Sequence, residues 1–398
     1  MTGLDREVAR VLAADACSGC GACTLLDAGL SMELDQGQLR PRRTGPPPAR
    51  VDARRFRAVC PGVHVDAARP VGSRRHATLG PVVGSWRAWA TDPEIRRSGS
   101  SGGVLTALAS WLTESGEAVR VVGAAAAPDP RRTMSVTITD RTSALRAAGS
   151  RYAPVATAAA PAVLAQGSAV VAKPCEASAL RALSGSQGPL LMSFFCAGTP
   201  NQAATDGLVT DLGLPATAPL ARLRYRGHGW PGRFVATAQD GTEVDASYHD
   251  SWGKALGPTV QWRCKICPDG VGEASDITAG DLWTSDERGY PVFSESPGVS
   301  ALVARTERGA DVIRRAVAAG VLVAEPVDPE TVAAVQPLHR RRRATLLGRL
   351  AGARLAGRRT PRYRGFGLTR LALAEWRDTV RTARGSFSRV RAVRRSTG

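Results

Sequence analysis

Gly103-Val-Leu-Thr-Ala-Leu-Ala-Ser-Trp-Leu-Thr-Glu114, followed by Val119-Arg-Val-Val-Gly-Ala-Ala-Ala126, is the stretch that decides the fold class. In the first segment Val104, Leu105, Leu108, Trp111 and Leu112 recur at helical spacing, which predicts a helix with one buried face. The second is a short apolar run and reads as a strand. Working outward, Met134 to Thr139, Ser168 to Ala172 and Pro189 to Phe195 read as further strands, with helices after Cys175 and after Pro200. Strands alternating with helices predict an α/β body with a mixed sheet.

The chain has 398 residues, 43% hydrophobic and 22% charged, a balance that fits a globular protein of two or three domains. Collagen, coiled coil and full disorder are excluded. No apolar run approaches the roughly 18 to 20 residues of a spanning helix. Met1 to Asp15 is amphipathic and carries Asp5, Arg6 and Arg10 in place of a signal sequence, so the expected location is cytoplasmic. The net charge of +18 is unevenly spread: His339 to Gly398 holds 18 Arg against Glu375 and Asp378, and the rest is nearly neutral.

Eight cysteines stand at 17, 20, 23, 60, 175, 196, 264 and 267. Clustered thiols in a cytosolic chain point to metal or redox chemistry before disulfides. Cys17, Cys20 and Cys23 form C-x2-C-x2-C, completed at a distance by Cys60-Pro61. Such a run wraps one corner of a 4Fe-4S cluster while the remote Cys-Pro supplies the thiolate for the fourth iron. The alternatives are zinc, which more usually takes two separated C-x2-C pairs, or unligated core thiols. Between the ligands, Ser31 to Leu39 alternates as an edge hairpin, and Pro41 to Arg50 reads as a loop insertion. The remaining thiols, Cys175, Cys196 and the pair Cys264/Cys267, could converge at one sheet edge as a second cluster site. Read locally, they fit equally well as buried apolar residues or a zinc pair.

Three loops complete the pattern. Arg97-Ser-Gly-Ser-Ser-Gly-Gly103 opens the helix, where free N–H groups and the dipole could receive a phosphate, although a Ser/Gly-rich start is also ordinary punctuation. Ala148-Gly-Ser-Arg-Tyr152 offers a turn, a guanidinium and a ring that could hold a dinucleotide or form a plain turn. Asp276 to Trp283 could line a cofactor or form a strand and turn. None of the five histidines has metal spacing, and His228 and His249 are the candidate proton donors. No Ser-His-Asp set or paired glycosidase carboxylates are evident, and no catalytic residue is assigned.

The order of these motifs resembles the coenzyme F420 hydrogenase/dehydrogenase beta-subunit family. The match runs through the cysteine run, Ser101-Gly-Gly-Val104, Gly149-Ser-Arg-Tyr152, Lys173-Pro-Cys175, Phe195-Cys196-Ala-Gly198, Cys264-Lys-Ile-Cys267 and Ala274 to Trp283, over about residues 10 to 325. The resemblance implies an oxidoreductase that holds FAD beside two 4Fe-4S clusters. Ferredoxin or reduced coenzyme F420 would be its redox partner. It implies metal ligation by Cys17, Cys20, Cys23, Cys60, Cys175, Cys196, Cys264 and Cys267. It implies cofactor binding by Ser100, Ser101, Gly102, Gly103, Gly149, Ser150, Arg151, Tyr152, Lys173 and Asp281. Glu176 stands where many relatives have a polar amide residue.

The expected organisation is a small ferredoxin-like iron-sulfur domain (1–75), an FAD-binding region (80–165), a region with the second cysteine set (166–335) and a basic helical tail (336–398). The tail's Leu346, Leu347, Leu350, Leu368, Leu371, Trp376 and Val380 are helically spaced among Arg. Such a segment suits an anionic membrane surface or a partner, with a solvated appendage as the plain alternative. Nucleic acid ranks last because no aromatic and basic interleaving accompanies it, and a homo-oligomer is compatible with the sequence. The competing functions are a ferredoxin-dependent reductase linked to surface-polysaccharide assembly, an electron-transfer adaptor without its own substrate, and a zinc-stabilised binding module.

Overall fold

Alternation along the strands builds one sheet covered on both faces. The computed structural model describes residues 2–47, 52–283 and 295–396, the last three by backbone alone. Its main sheet has eight strands: β1 (Gly84–Ala90), β2 (Arg120–Ala126), β3 (Thr133–Ile138), β4 (Ser168–Ala172), β5 (Leu190–Phe194), β6 (Ile277–Asp281), β7 (Ser300–Ala304) and β8 (Leu322–Pro326). The spatial order is β8-β1-β7-β6-β5-β4-β2-β3. β2, β4, β5 and β6 run parallel; β3 and β7 run against them, β1 against β7 and β8 against β1. The sheet is mixed, as the sequence predicts.

Successive side chains point to opposite faces. Val121, Ala169, Leu190 and Met192 pack with Ile95, Val104, Leu108 and Ile313, which belong to the helices Pro93–Ser98, Val104–Glu114 and Glu307–Ala318. Val122, Val170 and Leu191 pack on the other face with Ala177 and Leu180 of helix Pro174–Ser184, joined there by Cys20 and Ala22. Strand and helix bounds match the expected ones to within a residue or two, except that the helix expected after Cys175 starts at Pro174 and contains it. The single sheet spans both sides of the expected division at residue 165.

A second, three-stranded antiparallel sheet (Leu220–Arg224, Phe234–Ala238, Glu243–Ala246) packs with helix Gln202–Asp211 around Tyr225 and Phe234. At the N-terminus, helix Gly3–Ala13 starts with a capping box: Thr2 Oγ1 accepts the Asp5 N–H at 3.1 Å and Asp5 Oδ2 accepts that of Thr2 at 2.8 Å. Its Leu4, Val8 and Val11 pack on Phe56 of helix Ala53–Val59. The hairpin pairs Leu30–Asp35 with Gln38–Arg43, so Pro41 to Arg43, expected in a loop, belong to a strand. Residues 48 to 50 of that expected loop lie outside the described residues.

The tail is not a free appendage, because its first half is docked through arginine. Helix Pro337–Ala344 buries Arg343, which pairs with Glu273 and donates to the carbonyls of Thr78 and Pro268. Leu346 and Leu350 pack on Ile266, and the strand Arg362–Arg364 pairs with His64–Asp66. Helix Trp376–Ser396 then lies along helix Leu346–Leu355, with its Trp376 and Val380 exposed, as is Leu373 of the preceding helix Leu368–Ala374. Among the described residues no helix is long and apolar enough to cross a membrane.

Candidate functional site

The N-terminal thiols ring a space. Cys17, Cys20, Cys23 and Cys60, with Val8, Val11, Phe56 and Val59, line one small pocket. A 3-10 turn, Ala22–Leu25, positions Cys23, and helix Ala53–Val59 delivers Cys60 at its end, where the Cys60 N–H still bonds the Phe56 carbonyl at 2.8 Å. Burial pushes the Cys17 thiol up to about 11. Burial and then the neighbouring Cys20, Cys17 and Cys60 push Cys23 well above its ordinary value. Among the described residues no three His, Cys, Asp or Glu side chains stand at the spacing of a single-ion site.

The other four thiols come to one place from separate elements. Cys175 sits in the first turn of helix Pro174–Ser184, just past β4, and Cys196 just past β5. Cys264 lies in the short helix Trp262–Lys265, with Cys267 after it. The Thr199 N–H points at Cys264 Sγ at 3.4 Å, and the Cys196 N–H bonds the Gly270 carbonyl at 2.8 Å. Burial and then Cys264 push Cys196 up to about 12. Burial raises Cys175, against the opposing charge of Lys173, and its thiol neighbours include both Cys264 and Cys20 of the first set. The tail closes this site, since Arg342 donates to the Cys196 and Ala197 carbonyls at 3.1 Å and His339 meets the Phe195 ring edge-on.

The two sets are fastened together. Arg263 donates to the Pro61 carbonyl from Nε at 3.2 Å and Nη2 at 2.9 Å, and Gln261 Nε2 donates to the Ser18 carbonyl at 3.0 Å. Lys173 lies with the thiols, away from the Ser100 loop: its ammonium is 2.8 Å from Glu176 Oε1. Burial alone would lower the Lys173 pKa, but Glu176, Cys175 and Cys196 outweigh it and raise it above the ordinary value.

The Ser/Gly loop lies at the same carboxyl edge of the sheet. Gly103 takes a left-handed φ of 73° at the start of helix Val104–Glu114, and a Cβ on Gly102 would sit 2.4 Å from the Ala88 carbonyl oxygen. Only glycine fits this approach of loop to strand. Ser101 Oγ is used internally, donating to the Val299 carbonyl at 2.9 Å. Ser100 Oγ is buried without a partner. Gly149 lies beside the Ser98 and Arg226 carbonyls, with half-buried Ser150 next on the turn. Arg151 is committed to protein groups: its guanidinium bonds Thr133 Oγ1 and the carbonyls of Leu223, Pro130 and Arg132 at 2.7 to 3.1 Å. Tyr152 faces Trp252 and Tyr225.

Asp281 anchors a group that the sequence reading missed. Arg226 holds it with two bonds, at 2.8 and 2.9 Å, and Trp230 Nε1 donates to it at 2.9 Å. Trp230 stacks on Trp283 at 4.6 Å, and the fully buried Arg226 lies over Tyr248 and Trp283. The signal available was Tyr225-Arg-Gly-His-Gly-Trp230, a glycine-rich run between aromatics. His228 in that run is exposed, and its pKa is lowered by partial burial and by Arg224, Arg222 and Arg97. His249 is also exposed.

These parts are neighbours. Ser300, opposite Asp281 across β6 and β7, accepts the Gly102 N–H at 3.0 Å, and Gly280 lies against the Phe195 ring next to Cys196. Cys175, Cys196 and Asp281 thus follow or end parallel strands at the edge where open α/β sheets hold ligands.

Comparison with known proteins agrees with this layout. The family model for the N-terminal part of the coenzyme F420 hydrogenase/dehydrogenase beta subunit matches residues 85–160, and the model for the C-terminal part of the same subunit matches residues 166–330. A chain from a xenon-derivatised F420-reducing NiFe hydrogenase complex of Methanosarcina barkeri shares the fold, with a TM-score of 0.53 at 21% identity over 69% of this chain and 93% of that one. Curated proteins give no match. With both halves of one family matched in order across the sheet that carries Cys175, Cys196, Asp281 and Gly102, the chain belongs to the coenzyme F420 hydrogenase/dehydrogenase beta-subunit family of electron-transfer oxidoreductase subunits.

Proposed function

We propose that the chain is an iron-sulfur flavoprotein that passes electrons between two 4Fe-4S clusters and FAD, with coenzyme F420 as the two-electron partner. The observation that carries this reading is that the second four-thiol set shares one edge of the sheet with the Ser98 to Gly103 loop and is fastened to the first set by Arg263 and Gln261. The donor chemistry fits: each set is all thiol, as an iron-sulfur cluster requires, and the first lines one pocket. The flavin side fits too, because Gly102 and Gly103 hold the loop tightly against the end of the sheet and Ser100 offers an unpartnered hydroxyl there. Bound flavin would supply the exchange between single electrons and electron pairs that thiolate-bound iron cannot make.

The chain's own residues would do the rest. Cys17, Cys20, Cys23 and Cys60 would hold the first cluster, and Cys175, Cys196, Cys264 and Cys267 the second. The Arg263 and Gln261 bridges tie the two sets together. Arg226, buried with Trp230 and Trp283, and the half-buried Asp281 would shield the flavin edge from water.

Anaerobic purification with iron, sulfide and flavin assays tests this reading. Roughly eight irons and one FAD per chain are expected from two clusters, along with oxidation of reduced F420 coupled to an artificial one-electron acceptor. A colourless, zinc-containing protein would overturn it. Turnover with reduced ferredoxin and none with F420 would replace the proposed partner.

A further inference from the structure

The second half of the tail turns its arginines outward. Helix Trp376–Ser396 packs on helix Leu346–Leu355 through a Gly-x3-Gly seam: a Cβ on Gly348 would collide with the Thr379 carbonyl oxygen, and one on Gly352 with that of Ala383. Small residues let the two backbones approach closely. The seam also fixes which side is packed. Thr379, Ala383, Ser386 and Val390 recur every three or four residues on that side, with Ser386 and Val390 buried.

Arg377, Arg381, Arg384, Ser388 and Arg391 fall on the outer side, and all are exposed. Arg381 pairs with Asp378 at 3.2 Å, whereas Arg377, Arg384 and Arg391 have no carboxylate in ion-pair reach among the described residues. Apolar side chains border this row. Leu373, just before the helix, is 71% exposed, Trp376 58% and Val380 43%. The Arg377 guanidinium lies over the Trp376 ring at 5.4 Å, and that of Arg391 over Phe387 at 5.7 Å.

We propose that helix Trp376–Ser396 is a peripheral membrane anchor that lays the chain on an anionic phospholipid surface. Its arginines meet the lipid phosphates, and Leu373, Trp376 and Val380 enter the headgroup layer. Charge complementarity comes first: the outer row carries one sign, and the 60 residues from His339 hold 18 Arg against two carboxylates. Shape comes second, because a straight helix of 21 residues is about 30 Å long and matches a flat array of phosphates. The aromatic and aliphatic border decides between anionic partners. An interfacial helix inserts such side chains beside its arginines, whereas a duplex nucleic acid offers its phosphates without an apolar layer to receive them. The helix is already folded against the body, so binding orders nothing new. This anchor is independent of the cofactors proposed above.

Co-sedimentation of the full chain with lipid vesicles tests it. Binding is expected to mixed phosphatidylglycerol and phosphatidylcholine vesicles, with little to phosphatidylcholine alone, and it should weaken as salt is added. Combining Arg377→Gln, Arg384→Gln and Arg391→Gln should weaken binding about a hundredfold, because each basic residue at an anionic surface contributes about a factor of five. These side chains are exposed, so an unchanged unfolding midpoint is expected. Tryptophan emission should move to the blue on the anionic vesicles, and Trp376→Phe should remove most of that shift. Failure to sediment with anionic vesicles, or unchanged binding by the triple variant, would overturn the proposal. So would an emission shift that survives in Trp376→Phe, or tighter binding to duplex DNA than to the vesicles.

Discussion

Arg263 and Pro61 lie 202 residues apart in sequence and are joined by two hydrogen bonds to one carbonyl oxygen, at 2.9 and 3.2 Å. Arg263 precedes Cys264, and Pro61 follows Cys60. This guanidinium, 2% exposed, therefore ties the residues beside the two cysteine sets together, with Gln261 as the second bridge.

Arg263→Met should keep the apolar stem while leaving the Pro61 carbonyl unpaired. A charged hydrogen bond of this kind is worth about 1.5–3 kcal/mol. A lower unfolding midpoint is expected, with iron lost from both sets in parallel. Wild-type stability and iron content would show that Gln261 and the hairpin suffice to hold the sets together.

Cys20→Ala and Cys264→Ala should each remove about half of the iron expected for two clusters, and the double variant nearly all of it. The two effects are separable only if each set holds its own cluster. Iron per chain unchanged in Cys20→Ala would contradict ligation by the N-terminal set.

Gly102→Ala probes the other end of the path. Its new Cβ would press on the Ala88 carbonyl oxygen at 2.4 Å, so the loop must move off the strand. Overpacking of this kind costs about 1–3 kcal/mol. Flavin content should fall while iron is kept, and an unaltered flavin-to-iron ratio would mean that this loop does not hold flavin.

Legibility followed the range of the interactions. The pairs Val121/Val122 and Ala169/Val170 sit next to one another and serve opposite faces of the sheet, so short apolar runs marked β2 and β4 from sequence alone. The cysteine spacing was legible for the same reason. Asp281 was legible within the run Asp276 to Trp283, but Arg226, 55 residues away, shows no pattern until the small sheet around Tyr225 brings it to that carboxylate. Arg151 looked like a ligand-binding guanidinium because composition cannot reveal that carbonyls of Leu223, Pro130 and Arg132 already take its donors. The tail was illegible for a similar reason: its arginines suited an anionic membrane surface, a partner or a solvated appendage, whereas Arg342 and Arg343 point inward to backbone carbonyls that only the fold brings within reach.

That docking should depend on pH through His339. Its ring meets Phe195 at 6.0 Å, and its Nδ1 accepts from Arg342 Nη2 at 3.0 Å, which requires an unprotonated nitrogen. Burial, then Arg342 and Arg343, hold its pKa well below the ordinary 6.5. Once the helix Pro337–Ala344 lifts off, the ring regains its ordinary value and binds a proton at lower pH. The undocked state therefore takes up more protons between the two pKa values. Docking is strongest above pH 6.5 and weakens below it, by up to about 1.4 kcal/mol per pH unit. Hydrogen exchange across residues 337–355 should accelerate between pH 7 and pH 5.5, after correction for the intrinsic rate, and His339→Gln should flatten that dependence. Equal pH slopes in the variant and the wild type would mean that another group controls the tail.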